Sequence, residues 1–327
     1  MDEGTLQKLD DINDIKQFVE FISRYYPGFN FNEYTIESLE KALFHNYIKL
    51  IGKIISHTPL SMRNFLRNYL MKYEITNIKR IILGTILGMT LNEKTKMVNK
   101  LVEKYLNHSD FINELIEISS LDEIQLFFSP TRYNKVIREG ILYFKNTNEI
   151  FVLEAFLDQL YYKTMKKEIR RLNKKEKILL SLYVKYISDI YNLNLIYRGI
   201  ITNIDSNLIS QLLVDNYLFL NKGILDKCLN LTDVNDLINE INQHLSGIKE
   251  IHHYLTKFTI NKEHFIWSVE KLYLDYYFRT FQTKLDDIEY NAIFSILEVL
   301  IKKDKEIRLF ILPKIVNILH EKYRMLK

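Results

Sequence analysis

The chain has 327 residues, of which 47% are hydrophobic and 26% are charged, an ordinary balance for a protein that buries a core. Nine glycines and four prolines make up about 4% of the residues, where average usage is roughly 12%. So few turn-forming residues exclude an all-β chain, and the lack of clustered glycines excludes a P-loop or a dinucleotide-binding turn. The formal net charge of +4 is too diffuse to indicate a nucleic-acid partner.

The single cysteine, Cys228, excludes an intramolecular disulfide, a CxxC redox pair and a multi-cysteine zinc site, and it favours a reducing cytoplasm. The first residues are acidic and contain no apolar region, so no signal peptide is expected. The most continuous apolar window, Ile81 to Met89, has nine residues, whereas a spanning helix needs about 20. We therefore expect no transmembrane segment.

Apolar residues recur at three- and four-residue spacing from end to end, with almost no strict alternation, which predicts an all-α fold. Three polar segments rich in Asn, Asp and Ser interrupt this pattern, at residues 107–110, 203–207 and 230–233. Such side chains accept hydrogen bonds from the free amide groups at a helix start. We therefore interpret these segments as helix ends and caps rather than as flexible linkers.

An internal repeat is indicated by glutamates that recur with spacings of 114 and 116 residues. Each has isoleucine four residues before it, an aliphatic residue just before it and tyrosine seven residues after it. The glutamates are Glu40, Glu154 and Glu270, and the tyrosines are Tyr47, Tyr161 and Tyr277. The position three residues after each glutamate holds Leu43, Leu157 and Tyr273. These columns lie on one face of a predicted helix.

A second set of acids follows 34 to 36 residues later, and isoleucine comes directly after each of them. These acids are Glu74, Asp189 and Glu306. Three residues on, the first two copies have Asn77 and Asn192, but the third has Leu309. Because the polar residues recur in every copy, and an active site is normally single, we interpret them as an architectural framework and expect no catalytic residue.

A third set opens each copy, where segment 9–15 matches 231–237 and, more weakly, 118–124. The three sets predict three helical repeats of about 110 residues: 1–117, 118–230 and 231–327. Copies of this length hold several helices each, so they are expected to share one core and form one compact unit around an approximate threefold axis.

Arg198 lies nine residues after Asp189, about 180° round the predicted helix. Its partner must therefore lie on another helix, and Glu154 is the candidate. We expect this pair to be buried, so truncating Arg198 is expected to cost on the order of 3 kcal/mol and to lower the melting temperature.

Two motifs suggest ligand chemistry. The segment 10–14 fits the D-D-x-x-D pattern with which all-α isoprenoid synthases hold magnesium and diphosphate. Its repeat partner at 233–236 breaks that pattern and the acidic cluster 286–289 has the wrong spacing, so helix N-terminal acids are the simpler explanation for all three. The neighbouring His252 and His253 point about 100° apart on a helix, and we expect no metal site and no cofactor.

Taken together, these motifs resemble the C subunit of archaeal A-type ATP synthases and the related d subunit of eukaryotic V-type ATPases. The residues that carry the resemblance are Leu153-Glu154, Tyr161-Tyr162, Asp189-Ile190-Tyr191-Asn192-Leu193 with Arg198, Leu220-Asn221-Lys222-Gly223 and Lys305-Glu306-Ile307-Arg308. The chain departs from the family pattern at Leu83, where an arginine is expected, at Leu309 in place of asparagine, and at the N-terminus, where the expected opening segment with tyrosine and arginine is lacking.

The resemblance implies three similar helical units that form a funnel without catalysis of its own. One end is expected to accept the rotor shaft subunits of the central stalk, and the other to sit on the cytoplasmic face of the membrane proteolipid ring. The implied partners are therefore proteins, with no nucleic acid and no small-molecule substrate. A free-standing helical scaffold and an isoprenoid-type synthase remain as alternatives.

Overall fold

Residues 3–172, 174–252, 264–286 and 292–325 are described by the computed structural model. The regular structure in these ranges is helical, without any strand, so the all-α prediction is confirmed. The early helices are α1 (Glu3–Asp10), α2 (Ile15–Ser23), α3 (Ile36–His57), α4 (Leu60–Ile86), α5 (Leu91–Met97), α6 (Leu101–Leu106) and α7 (Ser109–Glu117). The central helices are α8 (Leu121–Phe127), α9 (Asn134–Thr147), α10 (Ile150–Ile169), α11 (Lys174–Ile201), α12 (Ser206–Leu212), α13 (Lys222–Leu229) and α14 (Val234–Ser246). The last helices are α15 (Phe265–Asp286), α16 (Ala292–Glu306) and α17 (Leu312–Met325), with a π-helical turn at Ile307–Ile311 between α16 and α17.

The helices form two compact units. The terminal unit combines residues 1–70, 96–112 and 292–327, and the middle unit combines 71–95 and 113–291. In the terminal unit α3 packs against α6, α16 and α17, and in the middle unit α10 packs against α9 and α11 while α11 packs along α15. The division into three repeats stays a prediction.

The three polar segments are helix ends, as predicted. Asn107 ends α6 in the left-handed conformation with φ 64°, and Asp205 caps α12 by accepting the Asn207 amide. Asp233 caps α14 in the same way through the amide of Asn235. Each cap satisfies backbone groups that the helix itself leaves open.

The D-D-x-x-D segment also ends in a cap, because the Asp14 carboxylate accepts the amides of Lys16 and Gln17 at 3.0 Å each. In the middle copy Ser120 caps α8, at the position that matches Asp233. The first copy therefore starts its helix three residues later than the sequence match implies.

Residues 287–289 of the acidic cluster and His253 lie outside the described residues. Within the described ranges, no three His, Cys, Asp or Glu side chains are grouped so as to hold a metal ion. No helix in those ranges combines the length and the hydropathy that crossing a membrane requires.

Gly52 allows α3 and α6 to approach closely. A Cβ atom at this position would lie 2.1 Å from the ring of Tyr105, far inside van der Waals contact. The ring therefore occupies the space that a larger residue would need.

We expect Gly52→Ala to lower the free energy of unfolding by about 1 to 3 kcal/mol, the usual cost of overpacking. In a Tyr105→Ala background the same change should stabilise the protein by about 1 kcal/mol, because alanine is the better helix former. Urea denaturation of the four proteins of this cycle measures both effects. The same sign in both backgrounds would contradict the close contact, and Gly247→Ala, where a Cβ meets nothing nearer than 3.4 Å, is the control.

Candidate functional site

Asp189 lies at the centre of the predicted polar framework, in the second half of α11, and is fully buried. Its Oδ2 atom accepts three successive backbone amides, from Leu218 at 3.1 Å, Phe219 at 2.8 Å and Leu220 at 3.0 Å. The Tyr273 hydroxyl on α15 donates to the same oxygen at 3.0 Å. One carboxylate therefore anchors the segment between α12 and α13 that has no regular structure of its own.

Asn192, one helical turn further on, holds the start of the same segment. Its side-chain amide donates to the Val214 carbonyl, and its side-chain oxygen accepts the Val214 amide, both at 2.8 Å. The side chain of Asn192 thus pairs with both the N–H and the C=O group of Val214, as a neighbouring strand does in a β-sheet. Asp189 and Asn192 share a helix face, as predicted, and together they fix residues 213–221, which we call the anchored loop.

Neighbouring side chains complete the support of the anchored loop. Asn216 donates to the Ser188 hydroxyl at 3.2 Å, and a ring nitrogen of His244 lies 2.9 Å from the Phe219 carbonyl. At the end of the loop Asn221 caps α13 by accepting the Ile224 amide at 3.1 Å. These contacts give the Leu220-to-Gly223 motif a structural role.

The protonation of Asp189 is set by its burial. Desolvation raises the pKa of its carboxyl from 3.8 to about 7, and the hydrogen bonds from the anchored loop and Tyr273 only partly oppose this, since they favour the carboxylate. Its second oxygen, Oδ1, is buried without a hydrogen-bond partner. The folded protein therefore favours the protonated form over a pH range in which the unfolded chain is ionised.

Glu74, the matching acid on α4, supports a different segment. It is fully buried, and its Oε2 accepts hydrogen bonds from the Arg132 guanidinium at 2.7 Å and from the Tyr133 hydroxyl. Burial, with the Glu74 charge next, raises the pKa of Tyr133 well above its ordinary value. Arg132 and Tyr133 belong to the connection between α8 and α9, so a buried acid again anchors residues outside a helix.

Glu306, the third acid, ends α16 in the terminal unit and accepts the Tyr26 hydroxyl at 3.3 Å. Burial, followed by the charge of Glu306, raises the pKa of Tyr26 above its ordinary value. Two residues earlier, Asp304 accepts a hydrogen bond from Arg308 at 2.9 Å, and Arg308 lies over the Phe44 ring at 4.6 Å. All three acids of the second set are thus buried and bonded to a tyrosine from another element.

The first set of glutamates, Glu40, Glu154 and Glu270, is half-buried, and its members have different partners. Glu270 accepts the Tyr186 hydroxyl at 3.0 Å. Glu154 Oε2 lies 3.6 Å from Nη2 of Arg198, so the predicted partner is confirmed. The expectation of burial is wrong: 42% of the Arg198 side chain and 29% of the Glu154 side chain are exposed, and the guanidinium lies 4.0 Å from the centre of the Phe151 ring.

Sequence reasoning missed the partners of the second acids. Arg132 and Tyr133 lie 58 and 59 residues from Glu74, and no periodicity links them to it. The role of Tyr273 could have been recognised in the sequence, because this tyrosine occupies a repeat position where the other copies have the apolar residues Leu43 and Leu157. Asn77 is buried on the same helix as Glu74.

These features define an all-α protein in which buried acids on long helices hold the segments between other helices. Residues 1–311 match the family described as ATP synthase (C/AC39) subunit, and the chain belongs to that family. The resemblance seen in the sequence is confirmed.

Curated relatives are named as the C subunit of an A-type ATP synthase. The protein from Methanocaldococcus jannaschii is 26% identical over 211 residues, which cover 61% of this chain and 50% of the relative. The Pyrococcus furiosus protein is 24% identical over 55% of this chain and 46% of the relative, and the Methanococcoides burtonii protein is 25% identical over 66% and 56%. The chain thus spans about half the length of the curated relatives it matches.

The raised pKa of Asp189 predicts a pH dependence. Because the folded value lies above the unfolded one, the free energy of unfolding falls as the pH rises from about 4 to about 7. Asp189→Asn keeps an oxygen for the loop amides but does not titrate, so its stability should fall less over that range. Urea denaturation across the range tests this, with the exposed Asp226→Asn as control. An equal fall in wild type and Asp189→Asn would contradict the prediction.

The two arginines should differ in their contributions to stability. Arg132→Ala removes a charged donor from the fully buried Glu74, and we expect a loss of about 2 to 3 kcal/mol. Arg198→Ala removes a partly exposed pair and a ring contact, so the loss should be about 1 kcal/mol. Thermal and urea denaturation measure both, and a larger loss for Arg198→Ala would overturn the ranking.

Proposed function

We propose that this chain is a non-catalytic subunit of the central stalk of a rotary A/V-type ATPase. It links the rotor shaft to the membrane proteolipid ring and transmits torque between ATP turnover and the transport of protons or sodium ions. It is a peripheral subunit on the cytoplasmic face of the membrane. The observation that carries the proposal is the family match over residues 1–311, together with the shared name of its relatives.

Hydrogen bonds between long helices and the segments that connect other helices support a role in transmitting torque. Helices α4 and α11 have 27 and 28 residues and are each about 40 Å long. Glu74 on α4 and Asp189 on α11 each bind a connecting segment through several hydrogen bonds. We infer that connections held by such bonds support the transmission of torque through the molecule.

We also propose that the three repeats are real structural copies. The first-set glutamates lie four or five residues after the starts of α3, α10 and α15, and the second-set acids Glu74 and Asp189 lie 14 and 15 residues after the starts of α4 and α11. The tyrosine bonds support the same order. Glu74 of the first repeat binds Tyr133 of the second, Asp189 binds Tyr273 of the third, and Glu306 binds Tyr26 of the first.

The alternatives are less well supported. An isoprenoid-type synthase would require Asp14 as a magnesium ligand, but one of its carboxylate oxygens, Oδ1, already accepts two backbone amides of α2 as a helix cap. A stalk subunit should co-purify with membrane ATPase subunits, whereas a free-standing scaffold should not. Co-purification therefore distinguishes these two functions.

Removing this subunit should uncouple the ATPase. We expect headpiece ATP hydrolysis to continue after depletion while ATP-driven ion pumping by reconstituted membranes is lost, because the shaft no longer turns the ring. Adding back the purified chain should restore pumping. Pumping that survives full depletion, or specific ATP turnover by the purified chain, would overturn the proposal.

A point variant sharpens the same test. Asn192→Ala removes both hydrogen bonds to Val214, at a cost of about 1 to 3 kcal/mol each, and loosens the anchored loop. In the add-back experiment it should restore fewer ions pumped per ATP hydrolysed than wild type does. The exposed Asn235→Ala is the matched control and should restore full coupling.

A further inference from the structure

A cavity of about 690 Å³ lies in the terminal unit, where the segment after α2 faces α3 and the end of α16. Nothing in the proposed function uses it. Its volume is within the range of roughly 300 to 1,000 Å³ typical of small-molecule sites. Its walls carry both aromatic and basic side chains, including Tyr25, Tyr26, Phe31, Lys49, Lys53 and Lys303.

The cavity is strongly basic on one side. Lys41, His45, Lys49 and Lys53 follow one another at four-residue intervals on α3, so they form a single stripe along the helix, and all four line the cavity. Lys303 from α16 adds a further ammonium group. Among the described residues that line the cavity there is no aspartate and no glutamate.

Two of these lysines lack a compensating charge. In the described part of the chain, neither Lys49 nor Lys53 forms an ion pair with a carboxylate. The acids that act on Tyr26 in the aromatic wall are already engaged: Glu306 accepts the Tyr26 hydroxyl, and Asp304 accepts a hydrogen bond from Arg308. The positive charge on the cavity side of α3 is therefore available to a ligand.

The opposite wall is held in place. Asn46 donates from its side chain to the carbonyls of Tyr26 at 3.3 Å and Pro27 at 2.8 Å, which secures the turn that Gly28 completes with φ 79°. Lys303 donates to the Tyr25 carbonyl at 3.2 Å and lies 4.5 Å from the centre of the Tyr26 ring. A preorganised wall lowers the entropic cost of holding a ligand.

We propose that this cavity binds an anion that carries two or more phosphate groups. Four residues of helix rise about 6 Å, so Lys49 and Lys53 are spaced to contact neighbouring phosphates, while the stripe from Lys41 to Lys53 extends about 18 Å and exceeds a single phosphate. Lysine is a regular point-charge partner of phosphate. The aromatic and asparagine side chains that also line the cavity suit the polar organic part of such a ligand, which is either a lipid headgroup or a soluble metabolite.

The binding test uses the purified full-length chain with tripolyphosphate as the soluble probe. Isothermal titration and thermal shift should show binding and stabilisation. Lys49→Gln/Lys53→Gln should bind at least about tenfold more weakly, since each contact near 4 Å contributes about fivefold in water. Lys16→Gln/Lys302→Gln removes the same charge from exposed positions of the terminal unit outside the cavity and should bind within about twofold of wild type.

A second arm identifies the source of the phosphates. Flotation with vesicles of phosphatidylcholine containing phosphatidylinositol bisphosphate, competed by tripolyphosphate, assigns a lipid headgroup. Tripolyphosphate binding without flotation assigns a soluble ligand, and pure phosphatidylcholine vesicles are the control.

Three results would overturn the proposal. The first is no binding of either probe by a chain whose circular dichroism shows intact helices. The second is an equal loss of tripolyphosphate affinity in the Lys49→Gln/Lys53→Gln and Lys16→Gln/Lys302→Gln variants, which would show that overall surface charge, and not the cavity, determines binding. The third is a poly-glutamate peptide that binds more tightly than tripolyphosphate, which would assign the cavity to an acidic protein segment.

Discussion

A carboxylate buried on a helix must obtain its hydrogen-bond donors from elsewhere, because the backbone of the helix is already paired. Without such donors the buried charge would cost several kcal/mol. Glu74, Asp189 and Glu306 each meet this requirement with a tyrosine hydroxyl from another element. The acid and its donors then hold together parts of the chain that are far apart in sequence.

In the middle unit the need of a buried acid for hydrogen-bond donors also orders a loop. Asp189 takes donors mainly from the backbone of the anchored loop, and that loop has no helix or strand to satisfy its own amides. The two needs are complementary, so helix and loop are ordered together. Asp189 nevertheless remains poorly solvated, which is why its pKa stays near neutrality. Such an ordered connection supports the proposed role of the chain in transmitting torque.

The cavity of the terminal unit presents the opposite case. The neighbouring acids Glu306 and Asp304 are bonded to Tyr26 and Arg308, whereas Lys49 and Lys53 line the cavity without carboxylate partners among the described residues. Exposed lysines stay solvated, so leaving them unpaired costs little, while an unpaired buried acid would cost much. Paired polar groups therefore support the fold, and the unpaired basic ones are available to a ligand.

The sequence by itself determined the all-α fold, the helix caps and the acids of the framework. Helical periodicity, capping residues such as Asp205 and Asp233, and repetition at fixed spacing can all be recognised by comparing neighbouring residues or distant segments of the same chain. Only the tertiary structure decided that Glu74 pairs with Arg132 and that the pair of Arg198 is partly exposed. Such pairings join residues that are tens to hundreds of positions apart, and the burial of a pair depends on all the residues packed around it. Neither the pairing nor the burial therefore produces a periodic pattern in one sequence.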